Sequence, residues 1–344
     1  MRIGSNKPAR LIRWAVLAAS AAFFLFFSGF ISEHAICPIG GFEMFFTGLF
    51  RTGFTLAGLF SGMVLTFLSM SLFSILFRRA YCGYICPLGA LQELFERIGK
   101  LVLPRKLRGA RIPPKVDRVL RWAKYPLLAA FVAGAALGAG HWMIPGDPFI
   151  VFMGLGSGDL ASLASRLPFA FAFFAAILAF SFFLGRGFCK YLCPAGAWYA
   201  LLSKLSPNKV RRNEESCVGC GLCSKACPMG IDVAHSKQVT SAECIGCREC
   251  VNACPTKGAL SAPIGRLELP AALVPLAAAA VFSGSVYLAS ASMPARGSRP
   301  AGGEGGQGPG MKRGGESQGE QKKLGLGGCP DCVGCGLCGA AARA

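Results

Sequence analysis

The stretch that decides the fold runs from Cys217 to Pro255 and contains two copies of one cysteine pattern. The first copy reads Cys217-Val-Gly-Cys220-Gly-Leu-Cys223-Ser-Lys-Ala-Cys227-Pro, and the second reads Cys244-Ile-Gly-Cys247-Arg-Glu-Cys250-Val-Asn-Ala-Cys254-Pro. Each copy places three cysteines at every third residue, adds a fourth after a longer gap, and ends in proline. Zinc sites use separated pairs of cysteines instead of such triplets. The pattern therefore predicts two [4Fe–4S] clusters.

The longer gap before the fourth cysteine determines how the ligands are shared. This spacing is that of bacterial two-cluster ferredoxins, in which the fourth cysteine of each copy binds the cluster of the other copy. Glycines at 219, 221 and 246 let backbone N–H groups approach the sulfurs. The expected cluster-binding residues are Cys217, Cys220, Cys223 and Cys254 for cluster 1, and Cys244, Cys247, Cys250 and Cys227 for cluster 2.

The rest of the chain is far more apolar than a soluble protein. Of 344 residues, 53% are hydrophobic and 15% are charged, whereas about a quarter of the residues of a soluble domain are charged. Five uncharged segments reach the roughly 20 residues that a membrane-spanning helix needs. The sequence therefore predicts a membrane α-helical protein with four to five transmembrane helices. The five segments are Trp14–Ser32, Thr52–Phe77, Tyr125–Gly146, Leu167–Gly185 and Leu269–Ala295.

Basic residues outnumber acidic ones, with 36 Lys and Arg against 17 Asp and Glu. They are concentrated between the apolar segments, where Lys and Arg orient membrane helices, so no nucleic-acid partner is expected. Segment 78–124 carries twelve Lys or Arg, while segments 33–51 and 147–166 carry one each. The positive-inside rule therefore places the cysteine-rich region in the cytoplasm of a multi-pass membrane protein.

The apolar part of the chain contains an internal repeat. The sequence Cys82-Gly-Tyr-Ile-Cys86-Pro-Leu-Gly-Ala recurs 107 residues later as Cys189-Lys-Tyr-Leu-Cys193-Pro-Ala-Gly-Ala. Each copy follows an even-numbered apolar segment, so two helical hairpins are expected to form pseudo-repeats. The Cys-x3-Cys spacing predicts both thiols of a pair on one helical face. Four such thiols would bind a further iron–sulfur cluster or a soft metal, act as redox thiols, or be buried as small apolar residues.

The domain organisation follows from these segments. Residues 1–210 form the membrane domain with both hairpins, 211–262 a small α+β ferredoxin domain, and 263–295 the fifth helix. Residues 296–328 form a Gly-rich, disordered linker, and 329–344 a cysteine-rich tail. The tail repeats part of the first ferredoxin motif without a Cys-Pro at its end, so it would bind a cluster, bind zinc, or be frayed. Its candidate ligands are Cys329, Cys332, Cys335 and Cys338.

These features together resemble the NapH and MauN type of membrane-bound polyferredoxin. The resemblance covers roughly residues 10–260 and rests on four apolar segments, both Cys-x3-Cys-Pro elements and the double cluster motif. It implies an inner-membrane protein that passes electrons from the quinol pool to a partner redox protein, as a quinol dehydrogenase subunit. The fifth segment and the cysteine-rich tail depart from that pattern and leave the identity of the partner open.

Two other functions remain open from the sequence. The copper-handling CcoG-type proteins of cytochrome oxidase assembly share these motifs but carry an extra soluble domain, where this sequence has a linker. A redox-sensing regulator would need an output domain, and none is visible. For quinol chemistry the sequence offers polar residues near one end of the apolar segments, which otherwise are ordinary interfacial residues. They are Glu33, His34, Cys37, Glu43 and His141.

Overall fold

The computed structural model describes much of the first 292 residues. The described residues are 7–27, 38–52, 62–104, 112–138, 146–156, 158, 161, 164–165, 167–256, 258–263, 270 and 272–292. All of them belong to one unit of the chain, Met1–Met293, and the second unit, Pro294–Ala344, lies outside them. Several predicted site residues therefore also lie outside the described residues. They are Glu33, His34, Cys37, His141, Cys329, Cys332, Cys335 and Cys338.

The described chain is mostly helical, with two short strands. The helices are α1 Lys7–Phe27, α2 Pro38–Thr47, α3 Gly62–Phe77, α4 Pro87–Val102, α5 Pro114–Leu120, α6 Lys124–Leu137, α7 Pro148–Leu155, α8 Pro168–Leu184, α9 Gly187–Tyr191, α10 Pro194–Ser203, α11 Leu222–Ala226, α12 Glu249–Asn252 and α13 Leu273–Ser292. Two π-helical turns span Gly48–Thr52 and Tyr81–Ile85. Strands β1 (Arg211–Arg212) and β2 (Leu260–Ser261) pair antiparallel. They join the two ends of residues 211–262, which we call the ferredoxin segment.

Proline determines where several helices begin. A proline occupies the first turn of α4, α5, α7, α8 and α10. Its fixed φ suits a helix, and its missing N–H is not needed there, because the first N–H groups of a helix have no partner within the helix. These prolines therefore start helices without breaking a hydrogen bond. They are Pro87, Pro114, Pro148, Pro168 and Pro194.

Helix length bears on the predicted membrane spans. In the described part of the chain, one helical segment, Pro8–Phe26, is long and apolar enough to cross a membrane. Three further apolar helical segments, Val64–Phe77, Pro168–Leu184 and Leu273–Leu288, have fewer than 18 residues. Four of the five predicted spans extend into residues that the structure does not describe. The four to five transmembrane helices therefore stay a prediction.

Both repeats and the ferredoxin segment share one hydrophobic core. Helix α13 packs along α3, and α8 packs along α4. The α4–α8 crossing is close because a Cβ atom at Gly99 would lie only 2.3 Å from the carbonyl oxygen of Phe182. The same buried cluster contains Ile85 of the first repeat, Cys189 of the second and Ile245 of the ferredoxin segment. The cysteine-bearing parts of the chain are thus packed together.

Candidate iron–sulfur and thiol sites

The eight cysteines of the ferredoxin motifs line two separate cavities. Three cysteines of one motif and the fourth cysteine of the other motif surround each cavity. The all-cysteine donor set is the one that [4Fe–4S] clusters use, so these residues fit such clusters. The first cavity is lined by Cys217, Cys220, Cys223 and Cys254, and the second by Cys227, Cys244, Cys247 and Cys250.

Left-handed backbone positions shape both cysteine loops. Gly219 and Gly221 have φ of 66° and 67°, and the equivalent positions of the second motif, Gly246 and Arg248, have φ of 66° and 56°. Residues with a Cβ rarely adopt this conformation, which explains the three glycines. The turn directs the N–H of Gly219 to the sulfur of Cys217, and this hydrogen bond, with one from an arginine, lowers the pKa of that thiol.

The two cavities differ in their exposure to solvent. Cys220 of the first cavity is exposed, and the adjacent Val218 is 68% exposed. Cys247 and Cys250 of the second cavity are buried. Burial raises the pKa of Cys247 to about 12 and also raises the pKa of Cys250. The first cavity therefore has one solvent-exposed cysteine, whereas the four cysteines of the second are buried or partly buried.

The second cavity is packed against the first repeat. A Cβ atom at Gly83 would lie 2.5 Å from the carbonyl oxygen of Ile245, and one at Gly246 would lie 2.7 Å from that of Phe77. The hydroxyl of Tyr84 donates to the carbonyl oxygen of Gly246 at 2.9 Å. The first Cys-x3-Cys element is therefore in direct contact with the loop that carries Cys244, Cys247 and Cys250.

The two Cys-x3-Cys pairs come together where the repeats meet. The thiol of Cys86 lies within electrostatic reach of the other three thiols, and all four cysteines are free. Burial and the neighbouring thiols raise the pKa of Cys86, Cys189 and Cys193. We call this group the four-thiol centre. It consists of Cys82, Cys86, Cys189 and Cys193.

The prediction that both thiols of a pair lie on one helical face is wrong. Cys82 lies in a π-helical turn and Cys189 in α9, but Cys86 and Cys193 leave the helix, with ψ of 115° and 116°. The cause is the following proline, whose ring disfavours the α-helical conformation of the residue before it. The second cysteine of each pair is instead the N-cap residue of the next helix, α4 or α10.

A backbone hydrogen bond to sulfur completes the cap of the second repeat. The N–H of Gly196 donates to the sulfur of Cys193 at 3.2 Å. A sulfur in this position also lies at the positive end of the helix dipole, which favours its thiolate form. Gly89 occupies the equivalent position of the first repeat, three residues after Cys86.

Two buried arginines link the repeats reciprocally. Arg79 of the first repeat donates to the carbonyl oxygen of Cys189 at 3.0 Å, and Arg186 of the second repeat donates to that of Cys82. Both guanidinium groups are almost fully buried. Each repeat therefore fixes the cysteine backbone of the other.

Gly89 and Gly196 make room for these arginines. A Cβ atom at Gly89 would lie 2.8 Å from Nη1 of Arg186, and one at Gly196 would lie 2.7 Å from Nη2 of Arg79. Any other side chain would displace the guanidinium group. The glycine of each element is thus required by the arginine of the opposite repeat.

Buried carboxylates hold the two arginines. Glu93 binds Arg186 at 2.9 Å and Arg13 at 2.7 Å. Burial alone would raise the pKa of Glu93, but the charges of Arg186 and Arg13 outweigh burial and lower it to about 2. Arg79 binds Glu243 at 2.9 Å, and Lys124 binds the second oxygen of the same carboxylate. These ion pairs therefore tie both repeats and the ferredoxin segment together.

In the described chain, no three Cys, His, Asp or Glu side chains stand close enough to hold one metal ion. This applies equally to the ferredoxin cysteines and to the four-thiol centre. A single zinc ion would hold its sulfur ligands about 2.3 Å from one point. A polynuclear cluster does not need its ligands to meet at one point, because its sulfur ligands bind different iron atoms.

The sequence interpretation missed the two arginines, although a signal was present. Arg79 and Arg186 each precede the first cysteine of their element by three residues, so they are equivalent positions of the repeat. Extending the comparison of the two copies by three residues would have found them. Their partners Glu93 and Glu243 occupy unrelated positions, and no repeat signal marks them.

A buried carboxyl group was also missed. Asp147 is 8% exposed and caps α7 by accepting the N–H of Phe149 at 2.8 Å. Burial raises its pKa to about 6, against the lowering effect of that hydrogen bond. Of the polar residues predicted for quinol chemistry, Glu43 lies partly buried in α2, and the others lie outside the described residues.

Comparison with known proteins gives two family matches. The 4Fe-4S binding domain matches residues 59–109 and 167–213, once in each repeat, and the 4Fe-4S dicluster domain matches residues 209–256. The methylamine utilization ferredoxin-type protein MauN of Paracoccus denitrificans (strain Pd 1222) is 28% identical over 151 residues, which are 44% of this chain and 48% of MauN. The resemblance to the MauN-type polyferredoxins is confirmed. The chain is thus an iron–sulfur protein related to MauN.

Other relatives also match over only part of this chain and part of their own length. YccM of Escherichia coli (strain K12), a protein named for electron transport, is 34% identical over 181 residues, which are 49% of this chain and 47% of YccM. Protein NirI of Paracoccus denitrificans is 31% identical over 157 residues, 44% of this chain and 21% of NirI. The chain spans about half the length of YccM and MauN. No solved structure matches it.

Proposed function

We propose that this chain is a membrane-anchored electron-transfer protein that passes electrons from the quinol pool to a partner redox protein. The observation that carries the proposal is the pair of cavities, each lined by four cysteines from both ferredoxin motifs. A [4Fe–4S] cluster bound in each cavity would take up and release one electron. The residues of the chain hold these groups, set their exposure and connect them to the repeats.

The exposure of the cavities suggests which end meets the partner protein. Cys220 and Val218 beside the first cavity are exposed, so a soluble redox protein has access to this side. The four cysteines of the second cavity are buried or partly buried, and this cavity contacts the first repeat through Gly83 and Ile245. We infer that electrons enter from the repeats and leave on the side of Cys220.

The membrane part of the proposal rests on apolar helices and on the distribution of basic residues. Helix α1 is long enough to span, and three shorter apolar helices accompany it. The positive-inside rule places residues 78–124 and the ferredoxin domain in the cytoplasm. Reporter fusions at Lys115 and Gly48 should therefore report opposite compartments in a bacterial host. The same compartment for both would contradict the proposed topology.

Asp147 is our candidate proton acceptor for quinol oxidation. Quinol releases protons as well as electrons, and an acceptor works best when its pKa lies near the working pH. Asp147 is buried and has a pKa raised to about 6. The variant Asp147→Asn keeps an oxygen to cap α7 but cannot take up a proton. We expect it to lose quinol-dependent reduction and to keep reduction by dithionite. Unchanged quinol-dependent rates from pH 5 to 8 would exclude this role.

Iron content tests the cluster assignment. Each of Cys220→Ser and Cys247→Ser should remove about four irons from the anaerobically purified chain, because each cysteine serves a different [4Fe–4S] cluster. Cys37→Ser is the matched control, since Cys37 belongs to none of the motifs. Equal iron content in all three variants, or zinc in place of iron, would refute the assignment.

A further inference from the structure

The four-thiol centre takes no part in the two ferredoxin cavities. We propose that it binds a third [4Fe–4S] cluster, with two thiolate ligands from each repeat. This goes beyond the proposed function, because the site is separate from the ferredoxin motifs and does not depend on their being loaded. The ligands are Cys82, Cys86, Cys189 and Cys193.

Hydrogen bonds to sulfur are the first observation that carries the proposal. The sulfur of Cys193 accepts the backbone N–H of Gly196 at 3.2 Å, at the start of α10. The sulfur of Cys189 accepts from Nε2 of Gln92 at 3.3 Å, across the junction of the repeats. Donors directed at sulfur stabilise thiolate ligands and set cluster potentials. Cysteines that only fill space in a core would not need these two donors.

The second observation is an unbalanced buried charge. Arg79 and Lys124 are fully buried and share the single carboxylate of Glu243, so one positive charge has no neighbouring carboxylate in the described part of the chain. Nε of Arg79 also has no hydrogen-bond partner among the residues that the structure describes. Arg79 lies within electrostatic reach of Cys82, Cys189 and Cys193. A buried charge is costly unless it is paired, and a cluster with four thiolates supplies the negative charge.

The third observation separates a cluster from the alternatives that the motifs leave open. The four cysteines are free, so the centre is not a disulfide, and they do not converge on a single-ion site within the described chain. The ferredoxin cysteines have the same two properties. The four-thiol centre therefore shares with the two ferredoxin cavities an all-cysteine donor set, which is the set that cubane clusters use.

The position of the centre fits a role beside the second ferredoxin cavity. Cys82 is followed by Gly83, whose backbone touches that of Ile245 in the cysteine loop of this cavity. Tyr84 adds the hydrogen bond to Gly246. The two ligand sets are therefore joined by direct backbone contact, with no intervening element.

Iron and sulfide content of the full-length chain, purified anaerobically in detergent, tests the proposal. The wild-type chain should contain about twelve irons, four for each of three [4Fe–4S] clusters. The double variant Cys82→Ser/Cys193→Ser, with one change in each repeat, should contain about eight and keep the electron paramagnetic resonance signals of both ferredoxin clusters. Retention of those signals also shows that the variant is folded. Cys37→Ser should keep all the iron.

A milder variant covers the case in which the double variant does not fold. Gln92→Leu removes the donor to Cys189 with little change in volume. In a redox titration it should lower the midpoint potential of one cluster signal and leave the other two unchanged, because hydrogen bonds to sulfur favour the reduced state. A shift in none of the signals would count against ligation by Cys189.

The outcomes separate this proposal from the ferredoxin assignment. A wild-type chain with about eight irons, all retained in the double variant, would refute the third cluster and leave the two ferredoxin clusters intact. Loss of one zinc or copper ion in the double variant would refute it equally, as would loss of only about two irons, which indicates a smaller cluster. Iron that is lost in the double variant but in neither Cys220→Ser nor Cys247→Ser would support the third cluster and refute the ferredoxin assignment.

Discussion

The variant Glu93→Gln tests the buried ion pairs that join the repeats. The side chain of Glu93 is nearly fully buried and accepts four hydrogen bonds. Two come from Arg13 at 2.9 and 2.7 Å, and two from Arg186 at 3.2 and 2.9 Å. Glutamine has nearly the same shape as glutamate but no charge. Its NH2 group would face the N–H donors of Arg13 and Arg186 and could not accept from them. The variant therefore leaves Arg186 buried without a carboxylate, whereas Arg13 keeps Glu249 at 3.1 Å.

Glu93→Gln should lower the free energy of unfolding by about 3 kcal/mol. Removing one partner of a buried ion pair costs about 3–5 kcal/mol, because a charge is left uncompensated. The pKa of Glu93 falls from 4.5 to about 2 on folding, and at about 1.4 kcal/mol per pKa unit this corresponds to about 3 kcal/mol. The exposure of Glu93 is 4%, so solvent screening does not reduce this value appreciably. A loss of about 3 kcal/mol lowers Tm by about 6–12 °C in a domain of 150–250 residues.

Thermal unfolding of the anaerobic protein in detergent measures this loss. The control is Glu96→Gln in the same helix, whose carboxylate binds the half-exposed Lys100 at 2.5 Å, and surface pairs contribute about 0–1 kcal/mol. Because folding lowers the pKa of Glu93, its contribution is complete above about pH 4.5 and is lost as pH falls towards 2. The difference between wild type and Glu93→Gln should thus be constant from pH 5 to 8. Equal Tm values for both variants would refute the reasoning.

Two glycine substitutions test the close contacts around the cysteines. Gly83→Ala should destabilise the second cavity and lower its iron content, because the new Cβ would lie 2.5 Å from the backbone oxygen of Ile245. Gly284→Ala is the control, because no described atom lies within 4 Å of its new Cβ. This control should unfold at a Tm no lower than that of the wild type. Gly219→Ala has space for a Cβ but φ of 66°, so we expect a loss of about 1–2 kcal/mol and faster release of iron to a chelator. Unaltered iron retention in both Gly83→Ala and Gly219→Ala would contradict these expectations.

The sequence predicts the local features of the site and misses those that depend on tertiary contacts. The spacing of the ferredoxin motifs groups the same four cysteines that line each cavity, because that spacing constrains a short loop directly. The Cys-x3-Cys spacing misled for an equally local reason, since the proline after Cys86 ends the helix that the spacing assumes. The ion pair between Arg186 and Glu93 joins residues 93 positions apart. Nothing in either local sequence indicates such a partner.

Helix length marks another limit of sequence reasoning. Hydropathy identifies apolar segments, but it does not show where a helix begins and ends. The predicted segment Leu167–Gly185 corresponds closely to α8, Pro168–Leu184, because proline and glycine delimit it. The predicted segment Tyr125–Gly146 contains only α6, Lys124–Leu137, within the described residues. There, Gly138 has φ of 77° and ends the helix at its left-handed C-cap.

The two equivalent arginines of the repeats each bind a carboxylate, but one of these carboxylates comes from the ferredoxin segment. Arg79 and Arg186 are equivalent, but their acids are not: Arg186 binds Glu93 within the repeats, whereas Arg79 binds Glu243 of the ferredoxin segment. The position equivalent to Glu93 in the second repeat is Ala200. The ferredoxin segment thus supplies the carboxylate that the second repeat lacks.

This asymmetry has a consequence for folding. In the intact chain, Glu243→Gln would leave Arg79 and Lys124 buried together without the carboxylate that they share. A buried charge that loses its partner costs about 3–5 kcal/mol, which is a large fraction of the typical stability of a domain. Loss of this one carboxylate of the ferredoxin segment should therefore destabilise the junction of the repeats. By this reasoning the segment serves as a structural part of the four-thiol centre as well as the carrier of its own cysteines.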